Sequence, residues 1–393
     1  MKKTAINFTT DRFQITAWGG SYSAPRTEDY YQSLEDACFS HIVRAEESEL
    51  DAAERHHLKL VIRLGFDIDW NKPDMDDIRT KFQVLFERVG KHPALAGYFL
   101  CDEPHLSRFD AIGKVRRMIR EIDPDHEAYV NLLPCAAEEY YLGTKDYDFY
   151  LESYWEKTSP DWIGSDYYAL RVNGPDVVEN AFWDNLAAHR RLAEEHEIYF
   201  RFILLATAHR NYRAVSEDDV TFQAFAALAY GAKALEYYTY VTLDLQSYRC
   251  GPLDQFGCKT PTWQIVALVN RKIQTLARLL NRFESTKVYH FSQNNNIPTG
   301  QGCPADSIIE AISGQEILVG EFRDPLNGDQ YVLIVNKDLH HTELLEIALR
   351  EPDKRAIRRV AAVNPDVLQS VGRFCWIAPG GYQLMKLVPK EEE

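Results

Sequence analysis

The chain reads as a (β/α)8 barrel followed by a small antiparallel β-sandwich, and four observations predict this. Between residues 13 and 283, short apolar runs alternate with amphipathic segments, as in βα units wound around a parallel sheet. Eight such units fit into this stretch, which is close to the size of ~250 residues usual for the barrel. The apolar runs are almost continuously hydrophobic, as strands covered on both faces require. After residue 283 the texture changes to short strands joined by tight turns.

The eight strands are read at 14–18, 41–45, 58–64, 96–101, 128–133, 162–167, 199–205 and 235–240. Helical patterns lie between them at 76–89, 109–122, 177–195, 217–230 and 261–281. A doubly wound open sheet is the competing topology, but no Gly-rich phosphate loop follows the first strand. Beyond the barrel, runs at 316–322 and 330–337 flank Asp324-Pro-Leu-Asn-Gly-Asp329, which has hairpin-turn chemistry. Further strands are read at 342–349, 356–363 and 373–387, the last broken at Pro379-Gly-Gly381. The barrel is thus expected over 1–283 and the sandwich over 284–393, ending in a solvated acidic tail at 391–393.

Composition narrows the function classes. With 393 residues, 45% of them hydrophobic, the chain can bury a large core. No run approaches the roughly 20 apolar residues that span a bilayer, so no membrane association is expected. A net charge of −15 argues against nucleic acid as partner, because phosphate neutralisation needs a basic surface. The basic start Met-Lys-Lys has no apolar segment behind it, so the expected location is cytoplasmic, or periplasmic or secreted if a leader has been removed. The seven cysteines show no CxxC pair and no zinc-ligand spacing. They read as reduced thiols, with Cys250 and Cys258 the pair close enough for a loop disulfide. No motif calls for a cofactor or a metal.

In a (β/α)8 barrel the C-terminal strand ends converge on one mouth. The polar and aromatic residues gathered there are Trp18, Arg44, Glu46, Arg63, Asp67, Asp102, Glu103, Asn131, Asp166, Tyr168, His209, Arg210, Tyr238 and Tyr240. The most informative stretch is 92–104, an apolar strand running into Asp102-Glu103-Pro104, which makes Glu103 a candidate proton donor. The competing reading of this corner is an acidic helix start that favours the helix dipole. Carboxylates to cleave an acetal, with aromatic faces to pack on a ring's C–H surface, suit a sugar as the bound partner. Any one of these aromatics is equally a core residue; their common position carries the signal. The cluster His209-Arg-Asn-Tyr-Arg213, with Arg44, Arg63, Arg171 and Arg249, reads either as ordinary ion pairing among 59 acidic residues or as a pocket for a carboxylated or sulfated sugar.

The stretch Gly97-Tyr-Phe-Leu-Cys-Asp-Glu-Pro104 resembles the fourth strand of clan A (β/α)8 glycoside hydrolases, in which Asn-Glu-Pro supplies the acid/base glutamate; here Asp102 stands in place of Asn. Tyr129-Val-Asn-Leu-Leu-Pro134, 160–168 and 228–240 extend the likeness to relatives of family 42 β-galactosidases. The resemblance implies Glu103 as acid/base and a nucleophile glutamate ending strand seven. Strand seven, Phe200-Arg-Phe-Ile-Leu-Leu-Ala-Thr-Ala-His209, has no carboxylate. Three replacements are open: Asp166 ending strand six, Glu236 within strand eight, and Asp102 beside Glu103. Asp166 is preferred for its strand-end position; Glu236 has four further strand residues after it and, if buried, needs a partner such as Lys233 or Arg201. The adjacent Asp102-Glu103 pair also resembles hexosaminidases that use the substrate's acetamide as nucleophile. A carboxyl gap of about 5–5.5 Å would imply retention and one of about 6.5–9.5 Å inversion. The expected activity is hydrolysis of a glycosidic bond in an oligo- or polysaccharide. Its competitors are a sugar-binding barrel without turnover and a barrel lyase or isomerase using Asp166 or His209 as base.

Overall fold

A computed structural model describes residues 12–19, 26–174, 179–292, 302–371 and 374–390. The start at 1–10, the first two residues of the helix read at 177–195, Arg373 at the head of the last expected strand and the tail 391–393 lie outside the described residues.

Eight strands form one parallel sheet: β1 (Gln14–Trp18), β2 (His41–Ala45), β3 (Lys59–Arg63), β4 (Leu95–Asp102), β5 (Glu127–Asn131), β6 (Trp162–Asp166), β7 (Tyr199–Leu205) and β8 (Ala234–Tyr238). They hydrogen-bond in the order β5-β4-β3-β2-β1-β8-β7-β6. The remaining seam is bridged just past β5, where the Leu132 N–H donates to the Gly164 carbonyl at 2.9 Å. The sheet therefore closes into a barrel, as expected. Several helices start where a first-turn N–H group finds a side-chain acceptor, from Thr27, Asp74, Asp146, Ser216 or Thr260. Ser216 and Asp219 form a reciprocal capping box for the helix Glu217–Ala229. Thr260 caps Pro261–Arg282, whose proline sits where a missing N–H costs nothing.

Alternate residues of a strand share one face, so the barrel interior is layered. Tyr129, Arg201 and Glu236 make a lower layer, and two residues further along the same strands come Asn131, Ile203 and Tyr238 at the mouth. The lower layer is a polar knot. Glu236, fully buried, accepts from Trp18 Nε1 and Tyr129 Oη at 2.7 Å each. Arg201 lies 3.5 Å from its other oxygen and also binds Glu127. Gly164 faces this knot for a steric reason: a Cβ there would run into the Arg201 side chain.

The chain turns antiparallel at once after the last barrel helix. The strands are β9 (Glu284–Phe291), β10 (Ile309–Ile312), β11 (Ile317–Arg323), β12 (Gln330–Asn336), β13 (Glu343–Leu349), β14 (Arg355–Ala361), β15 (Asn364–Ser370), β16 (Phe374–Ile377) and β17 (Tyr382–Pro389). They make a six-stranded sheet, β15-β14-β17-β12-β11-β9, and a three-stranded one, β10-β13-β16. Period-two alternation divides the larger sheet. Ile317, Val319, Val332 and Ile334 share a core with Leu345 and Ile377 of the smaller sheet, whereas Leu318, Leu333, Val335 and Leu384 join the barrel's core. Tyr382 stacks on Phe225 of the helix Glu217–Ala229 with ring centroids 3.4 Å apart. At Gly320 a Cβ would collide with the Ala229 carbonyl, so the glycine is what lets the sheet approach that helix. Cys250 and Cys258 are both exposed free thiols, in place of the loop disulfide their spacing allowed. Among the described residues no helix is long and apolar enough to cross a membrane.

Candidate active site

The mouth of the barrel holds a cavity of about 290 Å³ lined by Trp18, Asp102, Glu103, Asn131, Asp166, Tyr168, His209, Arg210 and Tyr238 among others. Its charged groups arrive on strand ends. Asp102 closes β4, and Glu103 follows in the left-handed backbone region at φ 47°, which turns the chain sharply before Pro104. The corner is tied down on both sides: the Glu103 N–H donates to the Asn131 carbonyl at 2.8 Å, and Tyr150 Oη donates to the Pro104 carbonyl at 2.7 Å. The turn that leads into the next helix, Phe109–Ile122, is capped by His105, whose ring Nδ1 accepts from the Ser107 N–H at 3.1 Å. Neither Asp102 nor Glu103 serves as that cap.

Asn131 organises the carboxylates. Its Nδ2 donates to Asp102 Oδ1 at 3.1 Å and to Asp166 Oδ1 at 3.3 Å, so one amide spans the ends of β4 and β6. Asp102 Oδ2 is met by Arg44 Nη1 at 3.2 Å. Arg44 in turn lies over the rings of Trp18 and Phe99, at 5.8 and 5.1 Å. Poor solvation, then the negative charges of Asp166 and Asp102, push the Glu103 carboxyl up to about 8, with Arg210 opposing them. Burial and Asp102 raise Asp166 to about 6 against the hydrogen bonds from Asn131 and Tyr168. Both carboxyls of the site are thus raised in proton affinity, Glu103 above Asp166, and each raises the other.

The aromatic wall is continuous. Tyr168 stacks on Tyr238 with centroids 5.8 Å apart, and His209 stacks on Tyr248 at 4.9 Å. His209 Nδ1 donates to the Thr207 carbonyl at 2.8 Å, which places a proton on Nδ1 because a carbonyl can only accept. Burial lowers its proton affinity, against the Thr207 hydrogen bond, which raises it.

Not every residue expected at the mouth reaches it. Glu236 is walled in beneath Trp18 and does not line the cavity. Tyr240 is fully buried, its hydroxyl 2.7 Å from Ser33 Oγ, because the chain has already left the strand at Tyr238. Arg63 faces Glu46, 3.5 Å away, and Arg44 touches Asp102; both stand outside the cavity lining. Strand seven contributes only Ile203 to that lining. Ala137 and Tyr248 line it without having been singled out in the sequence, and Pro134 and Tyr212 line it from within the stretches 129–134 and 209–213. They sit on loops that fold back over the mouth, Tyr248 on a segment pinned by the pairing of Arg249 with Ala208. Its only sequence signal is an aromatic in the long loop after the eighth strand. Two surface clusters, Asp51-Glu54-His92 and Glu152-Glu195-His196, have metal-ligand spacing, but neither lines the cavity, and Arg191 already occupies both acids of the second.

A scan of protein-family models finds no match to the chain, and a search of curated proteins finds none either. Solved structures do match. A β-galactosidase from Bacillus circulans sp. alkalophilus superposes with a TM-score of 0.67 at 8% identity over 98% of this chain and 100% of that one. An α-amylase from Geobacillus thermoleovorans gives 0.57 at 10% identity over 97% and 99%. The chain spans 62% of the β-galactosidase from the psychrophilic Marinomonas ef1, matched over 69% of its own length at 11% identity with a TM-score of 0.52. The fold is that of (β/α)8 glycoside hydrolases carrying a C-terminal β-sandwich. Names as different as these on one fold leave the substrate to be argued from the site.

Proposed function

We propose that the protein is a glycoside hydrolase in which Glu103 is the general acid and Asp166 the second functional carboxylate. The observation that carries this reading is the pair itself: two carboxyls at strand ends of one cavity with an aromatic wall, the proton affinity of Glu103 raised above that of Asp166. Glu103 gives its proton to the glycosidic oxygen as the anomeric C–O bond breaks and its electron pair goes to the leaving oxygen. Asp166 takes a proton from a water whose oxygen bonds to the anomeric carbon, so the product is inverted. A carboxylate of raised proton affinity suits a base of this kind. The alternative use of Asp102 in substrate-assisted catalysis is less favoured, because both its oxygens are engaged, by Asn131 and Arg44. Trp18, Tyr168, Tyr238 and His209 are assigned to sugar binding, and the kinship we propose is with clan A and the relatives of family 42 β-galactosidases.

The lack of a carboxylate on strand seven favours one competitor, a sugar-binding barrel without turnover. A screen of chromogenic and natural glycans for released reducing ends separates the two. Release by the wild type that is lost in Glu103→Gln supports the hydrolase; binding with no release from any bound glycan supports the competitor.

A further inference from the structure

Among the described residues, one cation at the mouth has neither a hydrogen-bond nor an ion-pair partner. Of the arginines around it, Arg213 is held in two-pronged fashion by Asp219, at 2.5 and 2.6 Å, and Arg171 faces Glu179 at 3.6 Å. Arg44 and Arg63 are paired with Asp102 and Glu46. Arg249 donates to the Ser247 carbonyl. Arg210 differs. It lines the cavity, is exposed, and has no hydrogen-bond or ion-pair partner among the described residues.

Its position is built. Arg210 lies in the left-handed region at φ 49°, a conformation that L side chains rarely adopt. The loop carrying it is fastened on both sides, by pairing of Ala208 with Arg249 and of Tyr212 with Arg171, and then by the Arg213–Asp219 bond. The fold thus spends an unfavourable backbone conformation on aiming this side chain at the mouth.

The charge is also misplaced for an empty general-acid site. A guanidinium near Glu103 favours the ionised carboxyl and so opposes retention of the proton that catalysis needs. The neighbouring anions are already engaged: Asp102 by Arg44, Asp166 by Asn131 and Tyr168. An anionic group arriving with the substrate would both pair with Arg210 and remove its pull on Glu103.

We infer that Arg210 receives an anionic group of the substrate, a sugar carboxylate or a sulfate ester, through two-pronged guanidinium contact, so that the pocket selects an acidic glycan. This rests on the hydrolase reading above and adds the substrate class to it.

The test uses the full-length Glu103→Gln protein on an array of matched oligosaccharides, uronate-bearing ones beside their carboxyl-reduced forms and sulfated ones beside their desulfated forms. Binding is expected to prefer the acidic member of a pair by about 10–100-fold, the range for a charge-assisted pair of hydrogen bonds. The arm that shows the preference identifies carboxylate or sulfate. Adding Arg210→Ala should collapse that ratio towards unity, whereas Arg210→Lys should keep part of it. Equal binding of neutral and acidic members, or a ratio that survives Arg210→Ala, overturns the inference. If the wild type also cleaves neutral glycans in a Glu103-dependent manner, the hydrolase reading stands while this inference falls. Failure to bind or cleave any glycan counts against both.

Discussion

At the scale of single residues, the three acids considered for catalysis occupy three different environments, and each environment makes its own prediction. Glu103 and Asp166 share a solvent-reaching cavity, so their titration should appear in activity. As pH rises through about 8, Glu103 loses the proton it must donate; as pH falls through about 6, Asp166 gains one and ceases to be a base. The kcat/KM profile is therefore expected to be a bell bounded near these values. Because the Asp166 charge helps raise Glu103, Asp166→Asn should shift the alkaline limb of the residual activity to lower pH; an unmoved limb would show that the two do not communicate. Glu236 belongs elsewhere. It is fully buried with Trp18, Tyr129 and Arg201 on its oxygens, and its removal leaves a buried guanidinium short of a partner. Glu236→Ala should cost about 3–5 kcal/mol in urea unfolding, while Asp166→Asn should cost well under that. Equal stability of Glu236→Ala and wild type would mean that the knot is not structural. Asp102 and Glu103 were legible in the sequence as strand-end carboxylates, because strand position fixes where a side chain emerges. The burial of Glu236 was not, since it depends on partners from three other strands.

At the scale of elements, strands buried on both faces announce themselves by unbroken apolar runs, and the eight barrel strands lie where these runs fall, displaced by a residue or two at their ends. The strands without that signal were missed. β9, Glu-Ser-Thr-Lys-Val-Tyr-His-Phe, opens with four polar residues directly after a long helix with no turn between them, and β15, Asn-Pro-Asp-Val-Leu-Gln-Ser, is a polar edge strand. Loops were the least legible. Tyr212 and Tyr248 reach the cavity only because backbone pairing between loops folds them inward, and nothing local in sequence encodes such pairing. The contact between β11 and the helix Glu217–Ala229 provides a test at this scale. Gly320→Val would force side-chain atoms against the Ala229 carbonyl and should destabilise the protein by about 1–3 kcal/mol, read as a lowered Tm. An unchanged Tm would show that the sheet is free to move off the barrel.

At the scale of the whole molecule, barrel and sandwich are chemically one object. Leu318, Leu333, Val335 and Leu384 are buried in the same core as the barrel helices, and Tyr382 lies flat on Phe225. We propose the boundary at residues 283 and 284, and expect residues 1–283 alone to expose this apolar face and to aggregate on expression. Soluble, monomeric material with the full-length far-UV spectrum would contradict that. The account's central claim, however, is that a proton held on Glu103 departs with the leaving group. The most direct measurement is the dependence of kcat/KM on leaving-group pKa for a series of aryl glycosides of the sugar found in the glycan screen, with wild type and Glu103→Gln compared. A phenolate that is stable as an anion needs no proton, whereas a poor leaving group does. The account predicts a shallow dependence for wild type and a steep one for Glu103→Gln, with losses of about 10²–10⁴-fold on the poorest leaving groups and little loss on the most activated. Parallel lines for the two proteins would contradict it.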